Sequence, residues 1–334
     1  KLALYYPNSA MFCLDLRLSP KQKIIWLKPA LVAAKQLDMK DAEAAHLGSI
    51  GVAYQDLGEI TKSINFQEES LRISRLIGDK AGEGNALGNL GVAYYFSGET
   101  TKAAEFYEAA LLIARELSDK RNECNWLGNL GATHNMKGDH KKAITFYKDA
   151  LLIAQEIGDK RNEGRWLGNL GNCHLYLNET DKAIAIFNQA LEIANEIGDK
   201  HNEGIWLLNI GNAYNALGEP DKAVEVCERA LEIAQKYNDR HNEGNCFGTL
   251  GTSHYMLGDT QKAILFYEKR IIISREIQDL HGEGNTLFNM GKAFYDMGDI
   301  VRAMHLVKQS LVFFEKVNSP KFEIAKNKLE EWGA

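Results

Sequence analysis

The sequence predicts an all-α protein, a right-handed α-solenoid of stacked helix–turn–helix units. Three observations predict it. Features recur every 40 residues, without insertion or deletion, from residue 41 to about 315. Each recurrence holds two stretches of helical spacing. Five prolines in 334 residues leave room for long uninterrupted helices. A two-helix unit cannot bury its own apolar face, so successive units must stack.

The period is visible in Gly51, Gly91, Gly131, Gly171, Gly211, Gly251 and Gly291, and again in Glu43, Glu83, Glu123, Glu163, Glu203, Glu243 and Glu283. The string LGNLG stands at 87–91, 127–131 and 167–171, with variants at 47–51, 207–211, 247–251 and 287–291. Ala103, Ala143, Ala183, Ala223, Ala263 and Ala303 form a second ladder.

The chain divides as follows. Residues 1–40 read as a degenerate N-terminal unit: 9–17 fill the slot of a first helix, and 20–38, opened by Ser19-Pro20, that of a second. Seven 40-residue units span 41–320. In each, a first helix (helix A, about 81–97 in the second unit) ends at a Gly suited to the left-handed position: Gly58, Gly98, Gly138, Gly218, Gly258 or Gly298. A second helix (helix B, about 100–117) carries apolar residues at i, i+3, i+4 and i+7, as in Ala143, Tyr147, Ala150, Leu151 and Ala154. Asp79, Asp119, Asp159, Asp199, Asp239 and Asp279 are placed to cap the next helix A, with Glu following in its first turn. Residues 321–334 read as a C-terminal capping helix.

Composition narrows the function. The chain is 45% hydrophobic and 25% charged with a formal charge of −6, which disfavours broad electrostatic binding to nucleic acid or anionic lipid. No apolar run approaches the length of a membrane span and no signal peptide opens the chain. The first residue is Lys1, which suggests a fragment of a longer protein. Five cysteines, none in Cys-x-x-Cys spacing, fit a reduced cytoplasmic compartment.

The run Leu130-Gly131, His134, Gly138-Asp139, Ala143, Tyr147 and Ala150-Leu151 resembles the tetratricopeptide repeat, in the 40-residue form of the Pins and kinesin light-chain type. That resemblance covers about 280 residues, recurs seven times, and implies fold more than function. Tyr6-Pro7-Asn8, Cys13 to Arg17, Pro20 and Trp26-Leu27 are similar to the junction in bacterial signal-transduction (STAND) ATPases, where an NB-ARC-type nucleotide-binding module precedes a tetratricopeptide sensor. It implies an upstream nucleotide-binding module as a partner in a full-length chain. No Gly-x-x-x-x-Gly-Lys-Ser/Thr loop occurs in these residues.

The resemblance also implies that A helices line the concave side. The candidate protein- or peptide-binding face is then an A-helix stripe: Asn85, Asn89, Asn125, Asn129, Arg165, Asn169, Asn172, Asn209, Asn212, Asn245 and Asn289. Asn is a poor helix former, so its recurrence needs a reason. Carboxamides can bond an extended ligand through donor and acceptor, or they can tie neighbouring repeats together; the sequence leaves both open. Arg165 and Lys292 are the stripe's cations, too few for a lysine-rich clamp or for nucleic acid. Gly88, Gly128, Gly168 and Gly248 read as sites of close helix packing, with Leu208 and Phe288 as apolar bumps in the groove. Trp126, Trp166 and Trp206 read as core. His134, His174 and His254 read as packing residues, and His201, His241 and His281 as exposed helix starts rather than metal ligands. No catalytic constellation, cofactor motif or metal set rises above the repeat. The functional expectation is a non-enzymatic recognition domain, either a signalling-ATPase sensor or a stand-alone adaptor for peptide segments.

Overall fold

A computed structural model describes residues 18–333. It holds 16 helices and, among the described residues, no strand. In order they are α1 Pro20–Gln36, α2 Lys40–Asp56, α3 Ile60–Ile77, α4 Lys80–Phe96, α5 Thr100–Glu116, α6 Lys120–Met136, α7 His140–Glu156 and α8 Lys160–Tyr176. There follow α9 Thr180–Glu196, α10 Lys200–Leu217, α11 Pro220–Lys236, α12 Arg240–Met256, α13 Thr260–Glu276, α14 Leu280–Asp296, α15 Ile300–Lys316 and α16 Lys321–Glu331. The chain forms two compact units, residues 1–162 and 163–334. In the first, α2 to α7 are A and B helices in alternation; in the second, α10 to α15 continue the same alternation, and each helix packs on its sequence neighbour.

The sequence dictates where each helix starts and stops. Oδ1 of Asp79, Asp119, Asp199, Asp239 and Asp279 accepts the backbone N–H three residues on, and so closes one orphan donor of the first turn. A helices end on a left-handed residue, among them Gly98 (φ 82°), Gly138 (φ 79°) and Gly258 (φ 81°), with Asn178 (φ 58°) where the glycine is missing. Ser19 caps α1 in a capping box with Gln22, so the B-type helix expected from Ser19-Pro20 forms at Pro20–Gln36. The helix expected over 9–17 lies outside the described residues.

Packing explains the glycine ladder. A Cβ at Gly91, Gly131, Gly171 or Gly251 would run into the ring of Tyr107, Tyr147, Phe187 or Tyr267, the residue 16 places on in the partner B helix. Those rings are buried, and the B helix lies against the bare backbone of the A helix. The Ala ladder fills the remaining space: Ala103, Ala143, Ala183, Ala223, Ala263 and Ala303 are fully buried. The recurrent Glu also finds a structural use. Glu83 pairs with Arg75 at 2.8 Å and Lys80 at 3.0 Å, and Glu123 with Arg115 at 2.9 Å, so the starts of α4 and α6 are pinned to the ends of the preceding B helices.

One expectation fails. Leu208 and Phe288 do not project as bumps; both are buried. The A-helix residue 38 places beyond Leu208 is Cys246, in the slot where Trp follows a Gly, and the longer Leu208 takes the vacated volume. Phe288 packs edge-on against Phe314.

Candidate functional site

The stripe residues are half-buried or exposed in both units. Their amides divide into two groups. In the first unit, Asn85 Oδ1 accepts from Asn122 Nδ2 at 3.2 Å and Asn125 Oδ1 from Asn162 Nδ2 at 3.2 Å, each linking one A helix to the next. Asn89 Nδ2 reaches Gln67 Oε1 at 3.5 Å. In the second unit, Asn209 Nδ2 donates to Asn172 Oδ1 at 3.4 Å, Thr249 Oγ1 to Asn212 Oδ1 at 2.8 Å, and Arg270 Nη2 to Asn245 Oδ1 at 3.0 Å. These amides stitch repeats together. The side chains of Asn129, Asn169 and Asn289 have no hydrogen-bond partner among the described residues, although all three are half-buried in mid-helix. The ladder therefore holds both bonded and unbonded rungs.

Each unit also exposes apolar side chains near the ends of its A helices, Phe96 (63% exposed) and Met136 in the first and Tyr176 (63% exposed) and Met256 in the second, all at one repeat position. Arg165 is exposed, and its guanidinium carbon lies 3.9 Å from the ring centre of buried Trp166. The planar cation thus covers the ring.

The tryptophan and mid-helix glycine ladders are one device. A Cβ at Gly88 would collide with the ring of Trp126, and one at Gly168 with the ring of Trp206. Each Trp comes from the next A helix, 38 residues on, and fills the notch left by the glycine. Gly48 has Ala86 at that offset, and no ring arrives. A cleft of about 510 Å³ opens there, lined by Gly48, Ser70, Ser74, Asp79, Gly82 and Ala86 among others. Gly248 has Thr286 at that offset, and the stem of buried Arg270 fills the gap at 3.8 Å. Sequence reasoning passed over both the cleft and Arg270. The signal was present: Arg270 interrupts the series Ala110, Ala150, Ala190 and Ala230, and Ala86 interrupts the run of Trp.

Cys124, Cys173, Cys227 and Cys246 are buried in the core and form no disulfide; burial pushes Cys173 up to about 11 and Cys246 to about 12, away from thiolate chemistry. His134 and His254 stack on Phe146 and Phe266, and His201 Nδ1 lies 3.2 Å from Asp239. No group of three or more potential metal ligands occurs among the described residues. No described helix is long and apolar enough to cross a membrane.

A tetratricopeptide repeat family model matches residues 41–116, 122–196 and 203–276. The chain belongs to the tetratricopeptide repeat family. No curated protein matches it. Among solved structures it is similar to the signal-transduction ATPase with a tetratricopeptide repeat sensor from Pyrococcus horikoshii, at 18% identity and a TM-score of 0.72 over 95% of this chain. It spans 48% of that protein's length. It is also similar to the Rap conjugation gene regulator of plasmid pLS20, solved with the Phr* peptide, at 17% identity and a TM-score of 0.61, covering 85% of this chain and 77% of that one. The kinesin light chain repeats of Podosopora anserina align at 17% identity and a TM-score of 0.50, covering 58% of this chain and 95% of that one. At these identities the likeness is one of fold, an interaction scaffold that serves many partners.

Proposed function

We propose that the chain is a non-enzymatic recognition domain that binds a protein or peptide segment along the A-helix stripe. The carrying observation is the open rungs, Asn129 in the first unit and Asn169 and Asn289 in the second, with exposed Met136 and Tyr176 about two turns on from Asn129 and Asn169 in the same helices. A half-buried, unused carboxamide suits an extended backbone, which offers one donor and one acceptor per residue. Arg165 adds an exposed cation to the stripe, suited to an acidic side chain or phosphate on the ligand. On this reading, α1 and α16 cap seven repeats, and the setting is the sensor of a multidomain signalling ATPase, which the similarity to the Pyrococcus protein supports. The second reading, a stand-alone peptide-binding adaptor, is favoured by the likeness to a regulator solved with a peptide on it. The gene upstream of the Lys1 codon separates them: a phosphate-binding Gly-rich loop followed by a winged helix supports the sensor.

The binding face is tested with a peptide selected on the wild-type chain from a displayed random library. Arg165→Ala is expected to weaken that peptide roughly ten- to hundredfold, because a bond to a charged group contributes about 1.5–3 kcal/mol. Asn169→Ala weakens it less. Normal binding to Arg165→Ala and Asn169→Ala, with binding lost on exchanging exposed Lys148 of a B helix for Glu, overturns the assignment.

A further inference from the structure

Each aspartate that opens an A helix has a second carboxylate oxygen, and the repeats close it in different ways. Asn122, Asn162, Asn202 and Asn242 donate Nδ2 to Oδ2 of Asp119, Asp159, Asp199 and Asp239 at 2.8, 2.9, 2.8 and 2.7 Å. Gly282 has no side chain to do this, and Arg270 does it instead: its Nη2 lies 2.5 Å from Asp279 Oδ2 and 3.0 Å from Asn245 Oδ1. The guanidinium occupies the space a side chain at Gly282 would use.

Gly82 is the other glycine at this position, and the residue in the place of Arg270 is Ser70, whose hydroxyl is spent on Ala44 O at 2.8 Å. Asp79 Oδ2 consequently has no donor among the described residues, and Asp79 lines the cleft of about 510 Å³. Ser74, fully buried, also lines that cleft, and its Oγ has no partner. A Cβ on Gly82 would lie 2.7 Å from that oxygen and closer still to Asp79 Oδ2, so both acceptors crowd the same side of Gly82, on the wall of the cleft. Asp41 adds a second carboxylate to the lining, at a position held elsewhere by Ala, Arg or His. Trp126 supplies an aromatic wall, and among the described residues no Lys, Arg or His lines the cleft.

We propose that this cleft binds an organic cation on a flexible aliphatic stem, the guanidinium of an arginine-like group being its built-in precedent in Arg270. Asp79 Oδ2 is the primary acceptor, Ser74 Oγ the second, and Trp126 the face for a cation–π contact. Ala44 has a methyl where Gly244 makes room for Arg270 Nη1, so the incoming group seats less deeply than Arg270 does. The shared chemistry has two sources, an arginine side chain of a bound peptide or a free small cation.

Both sources are tested on the whole chain by calorimetric titration. Agmatine stands for the free cation and acetyl-Gly-Arg-Gly-amide for the peptide, each against a neutral ureido counterpart, N-butylurea or the citrulline peptide. Both cations are expected to bind at least tenfold more tightly than their counterparts; agmatine binding alone assigns the cleft to a free cation. Asp79→Asn abolishes the preference. Ser70→Arg plugs the cleft as Arg270 plugs its own, and Gly82→Asn closes Asp79 as the other repeats do; either removes binding while the helical circular dichroism is kept. Equal binding of cation and neutral counterpart, or undiminished agmatine binding to folded Gly82→Asn, overturns the proposal. Only the peptide arm rests on the recognition reading. Agmatine binding with no library peptide recovered sinks that reading and leaves this one standing.

Discussion

Two joints at the same place in the repeat are built differently. Between α4 and α6, Trp126 fills the notch at Gly88; between α2 and α4, Ala86 faces Gly48 and a cleft remains. The helices, caps and Gly–Tyr seams are otherwise alike. The second unit repeats the lesson, with Gly168 filled by Trp206 and Gly248 filled by Arg270. In a repeat protein the core is specified by complementarity between successive units, a Gly in one and a large side chain 38 residues later. Where that complementarity lapses, a repeat can hold something from outside.

The largest effect expected is at a filled joint. Trp206 is buried, and Trp206→Ala should cost about 3–5 kcal/mol, because the notch at Gly168 cannot collapse onto a methyl group. Urea denaturation followed by circular dichroism measures it. A loss below about 1 kcal/mol would show that the ring is not what closes the joint, and the contrast with Ala86 would lose its meaning.

Much of this was legible in the sequence. Among the described residues the 40-residue register gave the A and B helices, the Asp caps and the left-handed ends, because those depend on residues within a few positions of one another. The Gly and Trp ladders were visible as separate series. Their pairing was not, since it depends on which way a side chain points across to the next hairpin, and for that reason Leu208 and Phe288 were misread as bumps. The amides were legible as a stripe but not as two groups. Whether a carboxamide is used depends on the donor 37 residues away, such as Asn122 for Asn85. The cleft was the least legible, because it is defined by side chains that are absent.

The next effect is a single substitution with opposite signs at the two joints. Gly88→Ala drives a methyl into the Trp126 ring and should destabilise by about 1–3 kcal/mol. Gly48→Ala finds Ser70 Oγ at 3.4 Å and Gln67 Oε1 at 3.7 Å, ordinary contacts, and should stabilise by about 0.5–1 kcal/mol through helix propensity. Thermal midpoints of the two variants check the sign. If both fall, the open joint is tighter than its cleft implies.

A third kind of residue stands at the Trp position in the first repeat. His46 is fully buried, and neither ring nitrogen has a partner among the described residues. Burial lowers its pKa, so the ring stays neutral in the fold while the unfolded chain takes up a proton below about 6.5. Stability is therefore whole above that value, and falls as pH drops from there toward the lowered folded value. His134 and His254 are lowered by burial too, so the diagnostic reading is the difference between wild type and His46→Phe. The variant should lose less stability between pH 7 and pH 5; parallel curves would mean that His46 accepts its proton without unfolding.

The smallest effect separates the two kinds of amide. Asn125 Oδ1 holds Asn162 Nδ2 at 3.2 Å, and Asn162 also bonds the Asp159 cap. Asn125→Ala removes one bond between A helices and should cost about 0.5–1.5 kcal/mol, partly offset by the better helix propensity of Ala. Asn129, one turn on, gives up no bond when it becomes Ala, so Asn129→Ala should leave stability unchanged or raise it by up to about 0.5 kcal/mol. The library-selected peptide should respond in the reverse order, weakening on Asn129→Ala and holding on Asn125→Ala. Melting and affinity measured on the same two variants make the contrast a double one. If Asn129→Ala melts lower and binding falls only in proportion, the unpaired rungs are as structural as the paired ones, and a binding face must be sought among the exposed aromatic and methionine side chains at the ends of the A helices.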